Sequence, residues 1–442
     1  MAEIAGPPLT HRRVLAIALP IVVSNATVPL LGLVDTGVIG QLGQAAPIGA
    51  VGLGAVILTT FYWVFGFLRM GTTGLIAQSH GAGAAAETGA HLARALAIGL
   101  GAGLAFILLQ MPLFWAVFRI APASPEVEVL ARDYLAIRIW GAPATIALYA
   151  ITGWLIAVER TRAVLGLQLL QNGLNVVLDL WFVLGLGYGV GGVAAATLIA
   201  EWSGLLLGLW LARPMLRGVV SRGLFAASHM ARLMQVNGNI MIRSVLLQIS
   251  FTSFMFLSAG QGELALATNQ VLLQFLAITA YALDGFAFAA ESLVGQAVGA
   301  RQPGRVRRAS VITAQWGAGG ALMLSGVFLL AGPWTIDLLT TAPDVRQSAR
   351  AFLPWLAIAP LIGVGSWMLD GIFIGATLTR EMRAAMVQSV AVYALALILL
   401  PAVFGHHGLW AALMVLNLTR ALTMARYYPR AEAAASGMRV NL

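Results

Sequence analysis

The sequence predicts an all-α polytopic membrane protein, with twelve transmembrane helices in two parallel six-helix repeats. Three observations carry that expectation. Hydrophobic residues make up 60% of the 442-residue chain and charged residues only 10%, against about 25% in soluble domains. Long apolar stretches recur between short polar breaks. The two halves also match each other at an offset of about 218 residues. GWLIAVERTR, from Gly153, aligns with GIFIGATLTR, from Gly371, through Gly153/Gly371, Ile156/Ile374, Thr161/Thr379 and Arg162/Arg380. The same offset pairs Gln78, Gly81 and Ala82 with Gln296, Gly299 and Ala300. A duplication of this size in an apolar chain is the usual architecture of a secondary transporter, with its substrate site between repeats.

A spanning helix needs about 20 mostly apolar residues. In the first half such segments run near 14–40, 46–80, 90–118, 127–157, 162–184 and 190–212. In the second they run near 236–259, 264–299, 309–339, 349–377, 383–404 and 408–428. The first follows His11, Arg12 and Arg13 with no small-residue cleavage pattern, so it is expected to be a membrane helix and not a cleaved signal. Several segments exceed the bilayer thickness and must tilt, kink or project beyond it. The stretch 213–232 is the longest polar linker, which divides the chain into lobes 1–220 and 221–442. Six helices per half return the chain to its starting side, so the repeats are parallel, about an axis along the membrane normal.

The net charge of +9 comes from arginine alone, since the chain contains no lysine. These arginines lie in loops between apolar helices, a pattern of membrane topology and not of nucleic-acid binding. Arg12, Arg13, Arg160, Arg162, Arg213, Arg217, Arg222, Arg301, Arg305, Arg307, Arg308, Arg380, Arg383, Arg426, Arg430 and Arg439 fall on one side. The opposite loops QLGQAAP, GLGYGVG and GQGE contain none. Arg119, Arg132, Arg346 and Arg350 are exceptions, in loops that also hold Glu126, Glu128, Asp133 and Asp344. The positive-inside rule then puts both termini in the cytoplasm. Cysteine is absent, which excludes disulfides and thiolate metal sites. No phosphate loop, nucleophile elbow or HExxH motif occurs, and no nucleophile–base pair or metal cluster sits at one depth, so an enzyme is not expected.

A carboxylate at the centre of a membrane helix costs about 2.5–3.5 kcal/mol on insertion scales, which makes each one a functional candidate. Asp35, Asp179, Glu201, Asp284, Glu291 and Asp370 qualify, along with Arg69 and Arg243. At 1.5 Å per residue, Asp35 lies about 33 Å along its helix from Arg13, and Asp179 about 25 Å from Arg162. With Thr197, they fall in the outer part of the first lobe. Asp370 and Glu291 fall deeper, in the second. Gln168, Asn172, Asn175 and Asp179, spaced 4, 3 and 4 apart, share one face of the fifth helix. Amides on such a face also serve as hydrogen-bonding glue between helices. The repeat pairs Asp35 with Ser253 and Asp179 with Leu397, so only one half carries acids there. Packing gives no reason for that asymmetry, but ion coupling does. Pro20 and Pro29 interrupt the hydrogen bonding of the first helix and can kink it.

At these residues the chain resembles a known family. ALPIVVSNATVPLLGLVDTGVIG, FLRMGTTGLIAQ, TAYALDGFAFAAES and LDGIFIGAT are similar to the DinF branch of the multidrug and toxic compound extrusion (MATE) transporters. The resemblance implies two six-helix lobes forming a V-shaped transporter, which exports drugs against protons or sodium. It implies a first-lobe site of Asp35, Asn175, Asp179 and Thr197, and a helix 1 hinge at Pro20. Sodium-coupled relatives use a second-lobe glutamate on helix 7; here that helix has no acid, although Asp370 remains, which favours protons. A sodium ion held by Asp35, Asn175, Asp179 and Thr197 stays an alternative.

The expected function is therefore proton-coupled export of cationic or amphipathic organic compounds from the bacterial inner membrane. Asp35 and Asp179 would titrate as a coupled pair and both load protons, with Asn172 and Gln168 in the surrounding network. Asp284, Glu291 and Asp370 are secondary candidates. The expected partners are small organic molecules and membrane lipid, with no nucleic acid, no cofactor beyond the coupling ion, and a monomeric state. A flippase for a lipid-linked saccharide is the rival cargo; it would need arginines facing its path, and only Arg69 and Arg243 could serve. The arginine asymmetry predicts that a reporter fused after Leu442 is cytoplasmic and one inserted at Gln44 periplasmic. Reporter activity on the same side for both would show a wrong helix count or orientation.

Overall fold

The computed structural model describes residues 8–120, 123–219 and 223–437; Arg222 and Arg439, counted above among the cytoplasmic arginines, lie outside them. Among the described residues the chain is helical throughout, with no strand. Ten segments follow one another: α1 (His11–Gly40), α2 (Ala45–Gly81), α3 (Ala85–Leu108), α4 (Pro125–Ala157), α5 (Thr161–Gly185), α6 (Gly189–Arg217), α7 (Ala227–Gly260), α8 (Glu263–Gly299), α9 (Pro303–Leu339) and α10 (Pro343–Gly375). The next, Thr379–Tyr427, breaks at Gly405, whose φ of 54° and ψ of −130° are not helical. The chain folds back there: a Cβ on Gly408 would lie 2.1 Å from the Leu400 carbonyl oxygen. The parts before and after, 379–404 and 406–427, are α11 and α12. That gives twelve candidate spans among the described residues.

Several helices start earlier than the apolar stretches suggest. α7 begins at Ala227, α9 at Pro303 and α10 at Pro343. Arginine and other polar residues in a terminal turn end an apolar run but do not end a helix, whose backbone bonds are internal. Irregular turns interrupt several of the spans, among them a 3₁₀ turn over Ile139–Gly141 in α4. α2 has a turn at Val64 and Phe65, and α5 passes into a π-helical turn over Leu180–Gly185.

The chain forms two compact units. One comprises Val23–Ile76 and Ala84–Leu233, the other Met1–Val22, Ala77–Gly83 and Met234–Leu442. In the first, α3 lies close on α4: a Cβ on Gly103 would stand 2.2 Å from the Pro143 Cα. In the second, α10 lies as close on α8, with Gly371 against the Ala287 carbonyl. Small residues allow this approach where no hydrophobic effect drives membrane helices together.

The duplication extends to the backbone. Left-handed residues occur at Gly83 and Arg301 (φ 71° and 55°), Glu159 and Thr377 (59° and 55°), and Gly187 and Gly405 (72° and 54°). Each pair is separated by the sequence offset of 218. A non-glycine residue with positive φ is uncommon, so the recurrence at Glu159 and Thr377 marks one loop design used twice. Within the second unit the repeats also meet reciprocally. A Cβ on Gly81 would lie 2.1 Å from the Gln296 carbonyl oxygen, and one on Gly299 would lie 1.9 Å from that of Gln78. Since 78 matches 296 and 81 matches 299, this is the contact pattern of a local two-fold axis.

Those backbone contacts leave no room for a side chain. Gly81→Val and Gly299→Val should each destabilise the protein by about 1–3 kcal/mol or more, read as a lower melting midpoint in detergent. Gly101→Ala, in mid-α3 with open space around it, should hold or raise the midpoint through helix propensity.

Candidate ion-coupling site

Four side chains from three helices converge in the first unit. α1 supplies Asp35, α5 supplies Asn175 and Asp179 from successive turns, and α6 supplies Thr197. Asp179 is the last residue before the π turn of α5, a distortion frequent at functional sites. All four are buried, Asp179 completely and Asn175 to 1% exposure, so their hydrogen bonds must come from protein.

Asn175 links the other three, and two hydrogen-bond arrangements fit its amide. In one, the amide nitrogen donates to Asp35 Oδ1 at 3.1 Å and Asp179 Oδ2 at 3.2 Å, while the amide oxygen accepts from the Thr197 hydroxyl at 3.0 Å. In the other, the nitrogen donates to Thr197 Oγ1 at 3.0 Å, that hydroxyl donates to the Val193 carbonyl at 3.0 Å, and the amide oxygen faces the carboxyls. A carboxylate only accepts, whereas a protonated carboxyl can also donate. The first arrangement therefore suits ionised oxygens, and the second suits two protonated carboxyls donating to the amide. Asp35 and Asp179 also lie within hydrogen-bond reach of each other, a contact that requires a proton on one of them. The first arrangement thus holds one proton between the pair, and the second holds two. A sodium ion would use the second amide orientation, with carboxyl, amide and hydroxyl oxygens, which suit a hard cation.

The polar stripe on α5 divides in two. Asn175 and Asp179 join the site. Gln168 donates to Asn172 Oδ1 at 3.0 Å, and Asn172 donates to the carbonyl and hydroxyl of Thr27 on α1 at 3.2 and 2.9 Å. These two amides tie α5 to α1 about two to three turns from the acids. Pro20 and Pro29 lie within a continuous α1.

The equivalent position in the second half has the same contact without the acids. Ser253 and Tyr393, which match Asp35 and Asn175 by the offset, are hydrogen-bonded at 3.3 Å, and Tyr393 donates to the Ser250 carbonyl at 2.9 Å. Asp370, a secondary candidate, is bound elsewhere by two guanidiniums. Arg243 of α7 pairs with Asp370 Oδ2, and Arg420 of α12 donates to the same oxygen at 2.7 Å. Two arginines on one carboxylate leave an excess positive charge, which disfavours a cation there. Asp284 and Glu291 stand two turns apart on α8, half-buried and buried.

Two charged residues escape a reading of the sequence that searches mainly for acids. Arg420 is one. The other is Arg138 on α4, which forks onto Glu201 of α6 with bonds of 2.7 and 2.9 Å. Each stands 13–14 residues inside its helix, about 20 Å by helical rise, and the depth count applied to the acids finds both.

The sequence model of the MatE family matches residues 20–181 and again 240–401, once in each half. The chain is 42% identical to DNA damage-inducible protein F of Escherichia coli over 418 residues, covering 94% of this chain and 91% of that protein. It is 29% identical to a probable multidrug resistance protein NorM of Deinococcus radiodurans, over 94% of this chain and 93% of the relative. Among solved structures, the fold is similar to a multidrug resistance MATE family transporter of the MOP superfamily in an outward-facing conformation. That likeness has a TM-score of 0.87 at 19% identity and covers 97% of each chain.

Removing one partner from a buried ion cluster leaves uncompensated charge, at a cost of about 3–5 kcal/mol. Asp370→Ala should therefore lower expression and the melting midpoint. Replacing Arg243 and Arg420 by methionine in the same protein should recover much of the loss.

Proposed function

The chain belongs to the MATE family of membrane transporters, and we propose that it exports cationic or amphipathic organic compounds in exchange for protons across the bacterial inner membrane. The observation that carries this reading is the Asp35–Asn175–Asp179–Thr197 network, with two hydrogen-bond arrangements of its amide that differ by one proton. The names of the multidrug relatives support the cargo class. The resemblance to the E. coli protein supports the bacterial membrane.

The cycle follows from charge. With one proton, the Asp35–Asp179 pair carries a negative charge, which stabilises a bound organic cation. A second proton taken from outside neutralises the pair, turns the Asn175 amide and removes that attraction, so the cation leaves. Repacking of α1 around Pro20 accompanies the change. Loss of the proton to the cytoplasm restores the starting state. No cofactor takes part, and a monomer contains every group used. Sodium is the second reading, favoured by the oxygen-rich donor set. A phosphate-bearing lipid cargo is weakly supported, because Arg243 is committed to Asp370.

One proton per monovalent cation, in place of the two expected if both acids load in each cycle, moves no net charge. Export should therefore respond to the pH gradient, at about 1.4 kcal/mol per unit, and not to membrane potential, which would add about 2.3 kcal/mol per 100 mV for each net charge. The check is efflux of a monovalent fluorescent cation from proteoliposomes under an imposed pH gradient, a sodium gradient, or a potassium–valinomycin potential. Voltage-driven efflux would mean two exchanged protons, and sodium-driven efflux would replace the proton. Asp35→Asn keeps the shape and removes the titration, so this variant should insert and melt normally while losing coupled export. Ser253→Ala should transport like the unmodified protein.

A further inference from the structure

By sequence α2 belongs to the first repeat, yet its last turn and the residues after it, Ala77–Gly83, are part of the second unit, as is the chain up to Val22. Both lie at helix ends that the arginine pattern assigns to the cytoplasm. Within that unit, residues of the first repeat therefore touch residues of the second. Gln78 carries two of these contacts. Its Nε2 donates to the Gly375 carbonyl at 2.9 Å and to the Thr377 hydroxyl at 3.0 Å, which uses both hydrogens of the amide nitrogen. Gly375 is the last residue of α10, so its carbonyl has no partner inside the helix. Thr377 is the left-handed residue of the turn into α11. Arg13 of α1 adds a longer bond, from Nη2 to Gln296 Oε1 at 3.4 Å.

The surfaces beneath these bonds are made of backbone and methyl groups. A Cβ on Gly295 would stand 2.5 Å from the Ala77 Cβ and 3.1 Å from the Gly375 carbonyl oxygen. Gly81 and Gly299 lie as close to the carbonyls of Gln296 and Gln78. Small residues let helices touch along their backbones, and such faces have no interlocking side chains to pull apart. Exchanging a protein hydrogen bond for one to water changes the free energy little. Once water reaches them, the Gln78 bonds can break and re-form in every cycle.

We infer that Gln78 is a cytoplasmic latch, whose bonds to the α10–α11 turn hold the end of α2 against α8 and α10 and are released each time the protein opens to the cytoplasm. A carrier exposes its site to each side in turn by moving one repeat against the other. Bonds between repeats at one end must then break when that end opens. The inference needs a transporter, but no particular coupling ion.

The chain has no cysteine, so introduced thiols report alone. Ala77→Cys places a thiol in the closed face, where Ala77 is fully buried. In inside-out vesicles a membrane-impermeant maleimide should alkylate it slowly, and about tenfold faster once Gln78→Ala is added. Ala309→Cys, equally buried in α9, should react at one rate with or without Gln78→Ala. Equal acceleration at both thiols would mean a loosened fold and would overturn the latch, as would labelling of Ala77→Cys from the periplasmic face alone. A second arm needs no weakened variant. Gln78→Cys/Thr377→Cys is joined by a short bifunctional methanethiosulfonate in proteoliposomes, where dye efflux should stop in proportion to cross-linking and return on reduction. Neither single cysteine variant should respond to the reagent. Undiminished efflux from the fully cross-linked protein would also overturn the proposal. If the unmodified protein moves no dye, the cargo reading fails, and the labelling, which needs no cargo, decides the latch.

Discussion

A carboxyl group inside a bilayer has no water to bond with, so the partners that the protein supplies decide whether its charge can change. The two halves of this chain answer that constraint in opposite ways. In the first, Asp35 and Asp179 are met by the amide of Asn175, itself bonded to the Thr197 hydroxyl, a neutral group that can bond either protonation state by rotating. In the second, Asp370 is met by Arg243 and Arg420, fixed cations that bond only the ionised form. The first set of partners suits either form of the carboxyl, and the second only the ionised one.

The asymmetry is laid over a well-preserved frame. Gly153 rests against the Arg69 carbonyl as Gly371 rests against that of Ala287, and the left-handed loop residues recur at the repeat offset. Backbone geometry and close glycine contacts are kept because helix packing depends on them. The polar side chains are free to diverge: Asp35 corresponds to Ser253 in the repeat, Asn175 to Tyr393, and Arg138 to Leu356. Function in such a fold is therefore found where the repeats differ, and stability where they agree.

Much of this is legible in the amino-acid sequence. Span number follows from hydropathy, and even the tight reversal at Gly405 shows as a polar interruption, GHHG, between two apolar runs. Depth counting and helical periodicity bring Asp35, Asp179, Thr197 and the stripe on α5 towards one place, and the family resemblance singles out Asn175 and Thr197 as partners of the acids. Other features are not legible there. Spacing alone puts Gln168 and Asn172 on the same face as Asp179, but their partner, Thr27, is a tertiary contact. The π turn after Asp179 leaves no compositional mark. Arg138 is hidden because an arginine in a basic chain reads as topology, although its depth in α4 contradicts that. Helix ends extend past the apolar runs because hydropathy registers the membrane, whereas the helix follows its own hydrogen bonds.

The account turns on one exchangeable proton at the Asp35–Asn175–Asp179–Thr197 network, and proton release on binding tests it most directly. Purified protein in weakly buffered detergent solution is titrated with a monovalent organic cation, and the released protons are read with a pH indicator. The account predicts about one proton per bound cation at saturation, falling to none in Asp35→Asn. Cation binding by the unmodified protein without proton release, or equal release from Asp35→Asn, would contradict it.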